Sequence, residues 1–291
     1  DEGRGTVPLM LYRGCRLAER GPYLNVWRAP TDNDGIKGYP ERKFQMLNRW
    51  LDAGLNDLRQ TVESCELGKG KHGTVHVRTC ATALSGDRVL FRHRRTLTVY
   101  GTGDILVDNE IDADESLPPL PRIGVQMILP AGFEQVAWYG RGPHENYRDR
   151  NTGAAVGRYS RSVDEFYVPY IMPQENGNRT EVRWATLVNP DRKVGLLIQA
   201  LPRMEFSVSH YDAHDLYRAF HTNELERRDE VILNLDLMQS GLGGSSCGPG
   251  TLPAYLVQPG SYRFRFRLRP FLMGQEDPDD LLRQELPRVQ N

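Results

Sequence analysis

The stretch S-Y-R-F-R-F-R-L-R, Ser261 to Arg269, alternates between two kinds of side chain at almost every position. The even-numbered positions hold Tyr262, Phe264, Phe266 and Leu268, and the odd-numbered positions from 263 to 269 hold four arginines. Successive side chains of a β-strand point to opposite faces of a sheet. The stretch therefore predicts an antiparallel strand with an aromatic face in the core and an arginine face in water.

The same period of two recurs along most of the chain. Clusters of Gly, Pro, Asn and Asp separate the runs and are typical of turns. Many short strands at near-regular spacing favour a large antiparallel sandwich over alternating strand and helix units. We therefore predict an all-β fold and a single domain over residues 1–291. The other strand-like runs are 74–79, 95–100, 104–111, 194–200, 204–209 and 231–237.

One segment follows a helical period instead. Between Glu41 and Leu55 the apolar residues recur at intervals of three and four, and Pro40 precedes them as a natural helix start. We predict one short amphipathic helix over this range, near the N-terminus, that packs as a cap over a sheet edge. The apolar positions are Phe44, Leu47, Trp50, Leu51 and Leu55.

The composition excludes several classes of partner. The chain has 37 basic and 38 acidic side chains, a net charge of −1, so no global field attracts nucleic acid or an anionic membrane. No apolar run of about 18 residues and no targeting signal is present. We expect a cytoplasmic protein that binds neither nucleic acid nor membrane.

The four cysteines are widely spaced and form no C-x-x-C pair. This spacing argues against a zinc ribbon and against a disulfide scaffold. Cys65 and Cys80 lie in strand-like runs, where we expect small buried side chains.

Four irregular stretches remain between the predicted strands. Loops on a stiff β scaffold commonly carry binding groups. We name them the Asx loop (29–40, A-P-T-D-N-D-G-I-K-G-Y-P), the His-Glu segment (138–150, W-Y-G-R-G-P-H-E-N-Y-R-D-R), the Tyr-Gln segment (167–179, Y-V-P-Y-I-M-P-Q-E-N-G-N-R) and the glycine-rich loop (241–250, G-L-G-G-S-S-C-G-P-G).

The Asx loop resembles half of a calcium loop, because Asp32 and Asp34 are spaced i, i+2 and Gly35 follows. A calcium loop needs a bidentate Glu near its twelfth position, and that position is Lys43. Asx side chains after a proline commonly bond their own backbone and tighten a turn. We therefore rank a turn first, an interface contact second and a metal site third.

The His-Glu segment places His144 beside Glu145 among aromatic residues, a pattern that suits acid–base chemistry or sugar binding. Adjacent residues on a strand point to opposite faces, so the two would not converge on one substrate. We favour a local ion-pair network in which Glu145 and Asp149 meet neighbouring arginines, and the same reading applies to Glu175 in the Tyr-Gln segment. The candidate partners are Arg141, Arg148 and Arg150.

No nucleophile elbow, zinc-protease motif, phosphate loop or dinucleotide fingerprint is present. A pair of facing carboxylates at glycosidase separation cannot be inferred from loops so far apart in sequence. The residues alone thus indicate a large antiparallel β protein with several polar loops bordered by aromatic residues.

Together, the four stretches resemble, in the same order, motifs of the small chain, or C-terminal domain (domain 5), of the β-galactosidases of glycoside hydrolase family 2. The resemblance runs from about Leu17 to Arg269. It implies an antiparallel super-sandwich of the galactose-mutarotase-like type. It also implies that the catalytic glutamates and the Mg and Na sites lie on a (β/α)₈ barrel outside these residues. No catalytic residue and no metal or cofactor site is therefore expected in this chain, which should be inactive alone.

The resemblance also implies that the domain forms a wall of the substrate pocket. The Asx loop matches the family's mobile loop beside that pocket, with Gly35 to Gly38 as its flexible part. We expect Asp34, Gly35 and Gly38 to bind substrate, and Asp32 and Asn33 to support the loop.

The glycine-rich loop departs from the family at one position. Many relatives place there a tryptophan that stacks on the sugar next to the scissile bond, and this chain has Cys247. We expect Cys247 to bind substrate with a smaller surface, at a loss of about 1 to 3 kcal/mol in acceptor binding. Gly243 and Gly244 would support the loop by allowing close backbone approach.

The implied partners are a β-galactosidase large chain, or N-terminal domains of the same polypeptide, and β-galactosides, in an enzyme that is an oligomer. Two alternatives stay open. The chain could be an aldose epimerase with His144 or His210 as acid and a glutamate as base. It could also be a stand-alone carbohydrate-binding or assembly module.

Overall fold

Strands dominate the computed structural model, which describes residues 10–39 and 45–286. Three short helices accompany them: α1 (Met46–Asp52), α2 (Ala213–Arg218) and α3 (Pro278–Arg283). The strands are β1 (Met10–Tyr12), β2 (Cys15–Ala18), β3 (Arg20–Asn25), β4 (Arg59–Lys69), β5 (Val75–Ser85), β6 (Arg88–Val99), β7 (Ile105–Ala113), β8 (Arg122–Leu129), β9 (Gln135–Gly142), β10 (Ala155–Ser162), β11 (Arg179–Asn189), β12 (Val194–Ser209), β13 (Val231–Gln239) and β14 (Ser261–Leu272).

Within the described ranges, 12 strands form one sheet and β1 pairs with β2 beside it. The main path runs β10-β9-β11-β12-β14-β7-β6-β5-β4, and β13 branches from β12 toward β8 and β3. All of these pairings are antiparallel. The predicted all-β antiparallel fold is confirmed.

Strand β12 is the branch point of the sheet. Its first half, residues 194–201, pairs with β14, and its last residues, 205–209, pair with β13. One strand thus carries the sheet from one layer to the other, and the apolar faces of both layers meet in one core. Trp138, Phe206 and Phe266 lie in that core with residues of β8 and β13. The runs 194–200 and 204–209, predicted as separate strands, form this one strand.

The opening stretch forms β14, but its arginine face is only partly in water. Arg267 and Arg269 are 2% and 8% exposed, so the prediction that they face water is wrong. The buried carboxylate of Asp104 is the reason, because it accepts from Arg267 Nε at 2.6 Å and from Arg269 Nη1 at 3.1 Å. An arginine is tolerated in the interior when a carboxylate pairs with it.

Helix α1 is shorter than the predicted range Glu41 to Leu55. Residues 40–44, with the proposed start at Pro40 and the apolar Phe44, lie outside the described residues. The helix ends at Asp52, and Gly54 follows in a turn with φ +71°. Trp50 is fully buried, donates from Nε1 to Pro119 O at 2.7 Å and packs edge-on against Trp27. The helix thus covers a second core cluster formed with β3, β5 and β6.

Two further features differ from the prediction. Helix α2 was not predicted, because six residues are too few to display a helical period. Cys65 is exposed, since β4 is the last strand on its side of the sheet and most of its side chains face solvent. Cys80, on β5, is half-buried. All four cysteine thiols are free.

Candidate functional site

The four irregular segments, far apart in sequence, meet at one place in the fold. Each segment contributes to a single cavity of about 230 Å³. We call this place the loop junction. The cavity is lined by Thr31, Asp32 and Asn33 of the Asx loop, Tyr147 and Arg150 of the His-Glu segment, Tyr170, Gln174 and Glu175 of the Tyr-Gln segment, and Leu242 and Ser246 of the glycine-rich loop.

A buried arginine just before the Asx loop holds two of the segments together. Arg28 donates from Nε and Nη2 to the two carboxylate oxygens of Asp34, at 3.0 and 2.6 Å. The same guanidinium donates to the backbone oxygens of Ser240, at 2.5 Å, and Gly241, at 3.4 Å. Burial alone would lower the pKa of Arg28, but the Asp34 carboxylate raises it above its usual value. The arginine is therefore a permanent cation that fixes both loops.

Asp34 also closes a turn within its own loop. Its amide donates to Thr31 O at 2.9 Å, and its carboxylate accepts from Thr31 N at 2.9 Å. The prediction that the Asx residues form a turn is confirmed. The carboxylate is buried and its described contacts are with Arg28 and Thr31, so substrate contact by Asp34 stays a prediction.

Asn33 joins the Asx loop to the glycine-rich loop. Its Nδ2 donates to Gly243 O at 2.8 Å, and its Oδ1 accepts from Ser246 N at 3.2 Å and Ser246 Oγ at 2.7 Å. Asp32 lies beside it and is tied through its backbone, since its amide donates to Gln174 Oε1 at 3.1 Å. The Asp32 side chain is exposed at the mouth of the cavity.

Asp149 fixes the start of the glycine-rich loop. Its two carboxylate oxygens accept from the amides of Leu242, at 3.0 Å, and Gly243, at 2.8 Å. The predicted pairing of Asp149 with an arginine is therefore wrong. A Cβ at Gly241 would lie 2.6 Å from Asp149 Cγ, so only glycine permits this approach. Sequence reasoning missed the contact because the donors come more than 90 residues after the acceptor.

The remaining residues of the glycine-rich loop form a compact turn. Gly243 has φ +62°, and a Cβ there would lie 2.5 Å from Thr251 Oγ1. The Gly244 amide donates to Pro249 O at 3.1 Å, and the Cys247 amide donates to Gly244 O at 3.2 Å. Cys247 is exposed at the outer end of this turn. Whether it touches substrate stays a prediction.

A buried lysine anchors the middle of the segment 35–38. Lys37 Nζ donates to the backbone oxygens of Pro173, Leu216 and Ala219 at 2.7, 2.8 and 2.6 Å. Burial lowers the pKa of Lys37 to about 8. The flanking glycines have positive φ, +154° at Gly35 and +79° at Gly38, and sequence reasoning did not single out the lysine between them. Substrate contact by the two glycines stays a prediction.

Glu145 ties the His-Glu segment to the Tyr-Gln segment. It accepts from Arg150 Nη2, from Tyr170 Oη and, at 2.8 Å, from Gly177 N. The predicted ion pair with Arg150 is confirmed. His144 is exposed while Glu145 is buried, so the two neighbours do not converge. They follow the end of β9 at Gly142, so the predicted alternation along a strand is not the reason.

A buried charged layer lies beneath the cavity. Arg122 Nε donates to Asp236 Oδ1 at 3.1 Å, and Arg122 Nη1 lies 3.6 Å from Glu175 Oε2, which confirms an ion pair for Glu175. Among the described residues no arginine forms an ion pair with Glu205, which accepts from Asn178 Nδ2 at 2.9 Å. Burial, followed by the nearby Asp236 carboxylate, raises the pKa of Glu205 to about 8. Glu205 is therefore largely protonated at neutral pH.

The two histidines of the epimerase alternative do not line the junction cavity. His210 is buried and bonds Glu134 Oε2 at 2.9 Å and Glu230 O at 3.0 Å. Over residues 10–39 and 45–286, no group of three His, Cys, Asp or Glu side chains is arranged to hold a metal ion. No helix in the same ranges is long and apolar enough to cross a bilayer.

The fold and the site together define the class of protein. It is a large antiparallel β domain in which four polar loops meet at one junction. The family model described as the beta galactosidase small chain matches residues 1–268, and the chain belongs to that family. The resemblance of the four motifs is thereby confirmed.

Two curated relatives give the extent of the similarity. A beta-galactosidase of Priestia megaterium is 34% identical over 272 residues, which cover 93% of this chain and 25% of the relative. A beta-galactosidase of Vibrio cholerae is 34% identical over 250 residues, covering 84% of this chain and 23% of the relative. The chain therefore spans about a quarter of the length of these relatives.

The similarity to solved structures is weaker. A galactose 1-epimerase from Lactobacillus acidophilus is 9% identical, with a TM-score of 0.40 over 74% of this chain and 67% of that chain. A GalM/aldose epimerase homologue from C. elegans is 11% identical, with a TM-score of 0.40 over 72% of this chain and 69% of that chain.

The buried ion pair of Arg28 with Asp34 predicts that substitutions of Asp34 and of Asp32 change the free energy of unfolding by very different amounts. Asp34→Ala leaves the Arg28 guanidinium buried without a counter-charge and should lower the free energy of unfolding by about 3 to 5 kcal/mol. Asp32→Ala removes an exposed carboxylate and should change it by no more than about 0.5 kcal/mol. Urea unfolding of both variants measures this. Equal losses would show that the buried pair does not hold the loops.

The protonated glutamate predicts a pH dependence of stability. Because the folded pKa of Glu205 is about 8 and lies above its unfolded value, its favourable contribution is complete below about pH 4.5 and is lost as pH rises through 8. Glu205→Gln should reduce this loss of stability at high pH, which is on the order of a few kcal/mol. Exposed Glu66→Gln is the control. The free energy of unfolding is measured at pH 5, 7 and 9 for the unaltered chain and for both variants. The same dependence on pH in all three proteins would contradict the assignment.

Proposed function

We propose that this chain is the non-catalytic part of a β-galactosidase and completes the galactoside pocket of a barrel-bearing large chain, or of the barrel domains of the same polypeptide. That partner hydrolyses terminal β-D-galactose residues. The observation that carries the proposal is the joining of the Asx loop and the glycine-rich loop by Asn33 and Arg28. Two loops held by one set of buried bonds form a fixed rim that a second domain can close.

Family membership supports this division of work. The chain spans about a quarter of its β-galactosidase relatives, so most of such an enzyme lies outside it. Retaining hydrolysis needs two carboxyl groups about 5 Å apart, one as acid and base and one as nucleophile. The buried carboxylates of the junction are each held by other groups: Asp34 by Arg28, Glu145 by Arg150, and Glu175 by Arg122. Both catalytic glutamates, and the Mg and Na ions, belong to the partner in this proposal.

Within the pocket, each loop has its own task. Cys247 is exposed at the end of the glycine-rich loop, where it would face the sugar next to the scissile bond. Asp34, Gly35 and Gly38 would form the substrate side of the Asx loop, with Asp32, Asn33, Gly243 and Gly244 in support. The assembled enzyme would be an oligomer in the cytoplasm.

A complementation assay tests the proposal. The partner is the Priestia megaterium relative from which the quarter aligned with this chain has been deleted. Hydrolysis of a chromogenic β-galactoside is measured for each piece alone and for the mixture, and we expect turnover only in the mixture. Turnover by this chain alone would refute a non-catalytic role, and mutarotation of galactose by this chain alone would favour the epimerase alternative.

The same mixture tests the place of Cys247. Cys247→Trp restores a large apolar face and should lower KM for lactose about fivefold or more, because an added stacking contact contributes about 1 to 3 kcal/mol. Cys65→Trp, on the exposed edge strand β4, is the matched control and should leave KM unchanged. Identical KM values for the two variants would show that Cys247 does not lie in the pocket.

A further inference from the structure

We propose that an apolar patch beside the loop junction, formed by Tyr39, Ile171 and Phe220, is the surface on which the barrel-bearing partner docks. We call it the Lys37 patch, because the three segments that carry these side chains meet at the Lys37 ammonium group. The inference rests on the proposed function for the identity of the partner. It goes beyond that function by assigning the contact to a particular surface.

One buried ammonium group fixes the three segments relative to one another. A lysine ammonium has three hydrogens to donate, and Lys37 Nζ donates to three backbone oxygens, those of Pro173, Leu216 and Ala219. A charged group is costly to bury unless its hydrogen bonds are made, and here all three are. The segments 37–39, 171–173 and 216–220 are therefore held in one arrangement before any partner arrives.

Each of these segments carries one large apolar side chain in water. Ile171 is 91% exposed, Tyr39 64% and Phe220 43%. Tyr39 follows Lys37 by two residues and Ile171 precedes Pro173 by two, a distance of at most about 7 Å along an extended chain. The Phe220 ring lies over Lys37 Nζ, with its centroid 5.6 Å away. The three side chains thus belong to one neighbourhood around the ammonium group.

The grouping of these side chains is what points to a partner. Apolar side chains that are exposed singly are normal, whereas a contiguous patch marks an interaction site. Among residues 10–39 and 45–286, eleven large apolar side chains are exposed, and three of them lie on these three short segments. Their combined apolar surface is on the order of a few hundred Å², which is the size of a functional patch on a monomer. Two of the three are aromatic, as interfaces favour.

The position of the patch identifies its occupant. Lys37 belongs to the Asx loop and Ile171 to the Tyr-Gln segment, and both of these segments line the junction cavity. A domain that closes the cavity therefore passes directly beside the patch. The chain spans about a quarter of its β-galactosidase relatives, so the partner has a large surface to place against it. An apolar contact next to the polar loops gives the usual anatomy of an interface, an apolar centre with a polar rim.

Thiol labelling tests whether the patch is covered in an assembled enzyme. Ile171→Cys places a thiol in the patch, and the native Cys65 on the exposed edge strand β4 is the internal control. Maleimide labelling of both thiols is followed by mass spectrometry in this chain alone and in a full-length chimera. In the chimera, this chain replaces the aligned quarter of the Priestia megaterium relative. We expect labelling at position 171 to be about tenfold slower or more in the chimera, and labelling of Cys65 to be unchanged.

A charge placed in the patch gives a second readout. Ile171→Asp in the chimera should lower turnover of a chromogenic β-galactoside about tenfold or more, because docking would bury a carboxylate without a partner. Leu67→Asp is the matched control, since Leu67 is 78% exposed on β4, and it should leave turnover unchanged. Both positions are in water in the chain alone, so urea unfolding of the chain should be the same for both variants. Equal turnover of the two chimeras would contradict the inference.

The outcomes distinguish this inference from the proposed function. A chimera labelled at position 171 as fast as the chain alone, or one in which Cys65 slows equally, would overturn docking at the patch; if that chimera is active, the proposed function stands. Slow labelling in an inactive chimera would support docking and count against the proposed function. Slow labelling in the chain alone that becomes faster on dilution would identify a second copy of this chain as the occupant and overturn the inference.

Discussion

The loop junction depends on one buried ion pair, Arg28 with Asp34. The guanidinium satisfies the carboxylate that closes the Asx turn, and it also reaches a backbone oxygen 212 residues further along the chain, at Ser240. A buried pair of this kind contributes little net stability compared with a well-packed apolar pair. Its contribution is to orient the two loops, because a planar guanidinium can donate to two carboxylate oxygens and two backbone carbonyls in only one arrangement.

The other polar contacts extend this arrangement outward. Once Asp34 is fixed, Asn33 faces the glycine-rich loop, and Asp149 holds the amides of that loop from the opposite side. Beneath them, Arg122 pairs with both Asp236 and Glu175 in the interior. Strand β12 carries Glu205 into the same layer, where it accepts from Asn178 of the Tyr-Gln segment, so the point where the sheet branches lies beside the loop junction. Fold and site thus share one region of the molecule.

The sequence predicted the strands well because each buries one face, and a period of two is visible within a single segment. Arg267 and Arg269 are predicted to face water because the same pattern cannot reveal that Asp104, just before β7, lies opposite them. Likewise the Asx turn was predictable from adjacent residues, as was the ion pair of Glu145 with Arg150. The contacts of Asp149 and Lys37 were not, since their partners come from segments that only the folded chain brings together.

The central claim is that the Asx loop and the glycine-rich loop behave as one unit. Amide hydrogen exchange of the chain with Asn33→Ala tests it most directly, since the half-buried Asn33 belongs to the Asx loop and its side chain bonds the glycine-rich loop. The account predicts that the Gly248 and Asp34 amides, whose own bonds lie within separate loops, exchange faster by a similar factor, while the core amide of Val107 is unchanged. Faster exchange of the Ser246 amide alone would contradict it, because the loops would then be independent.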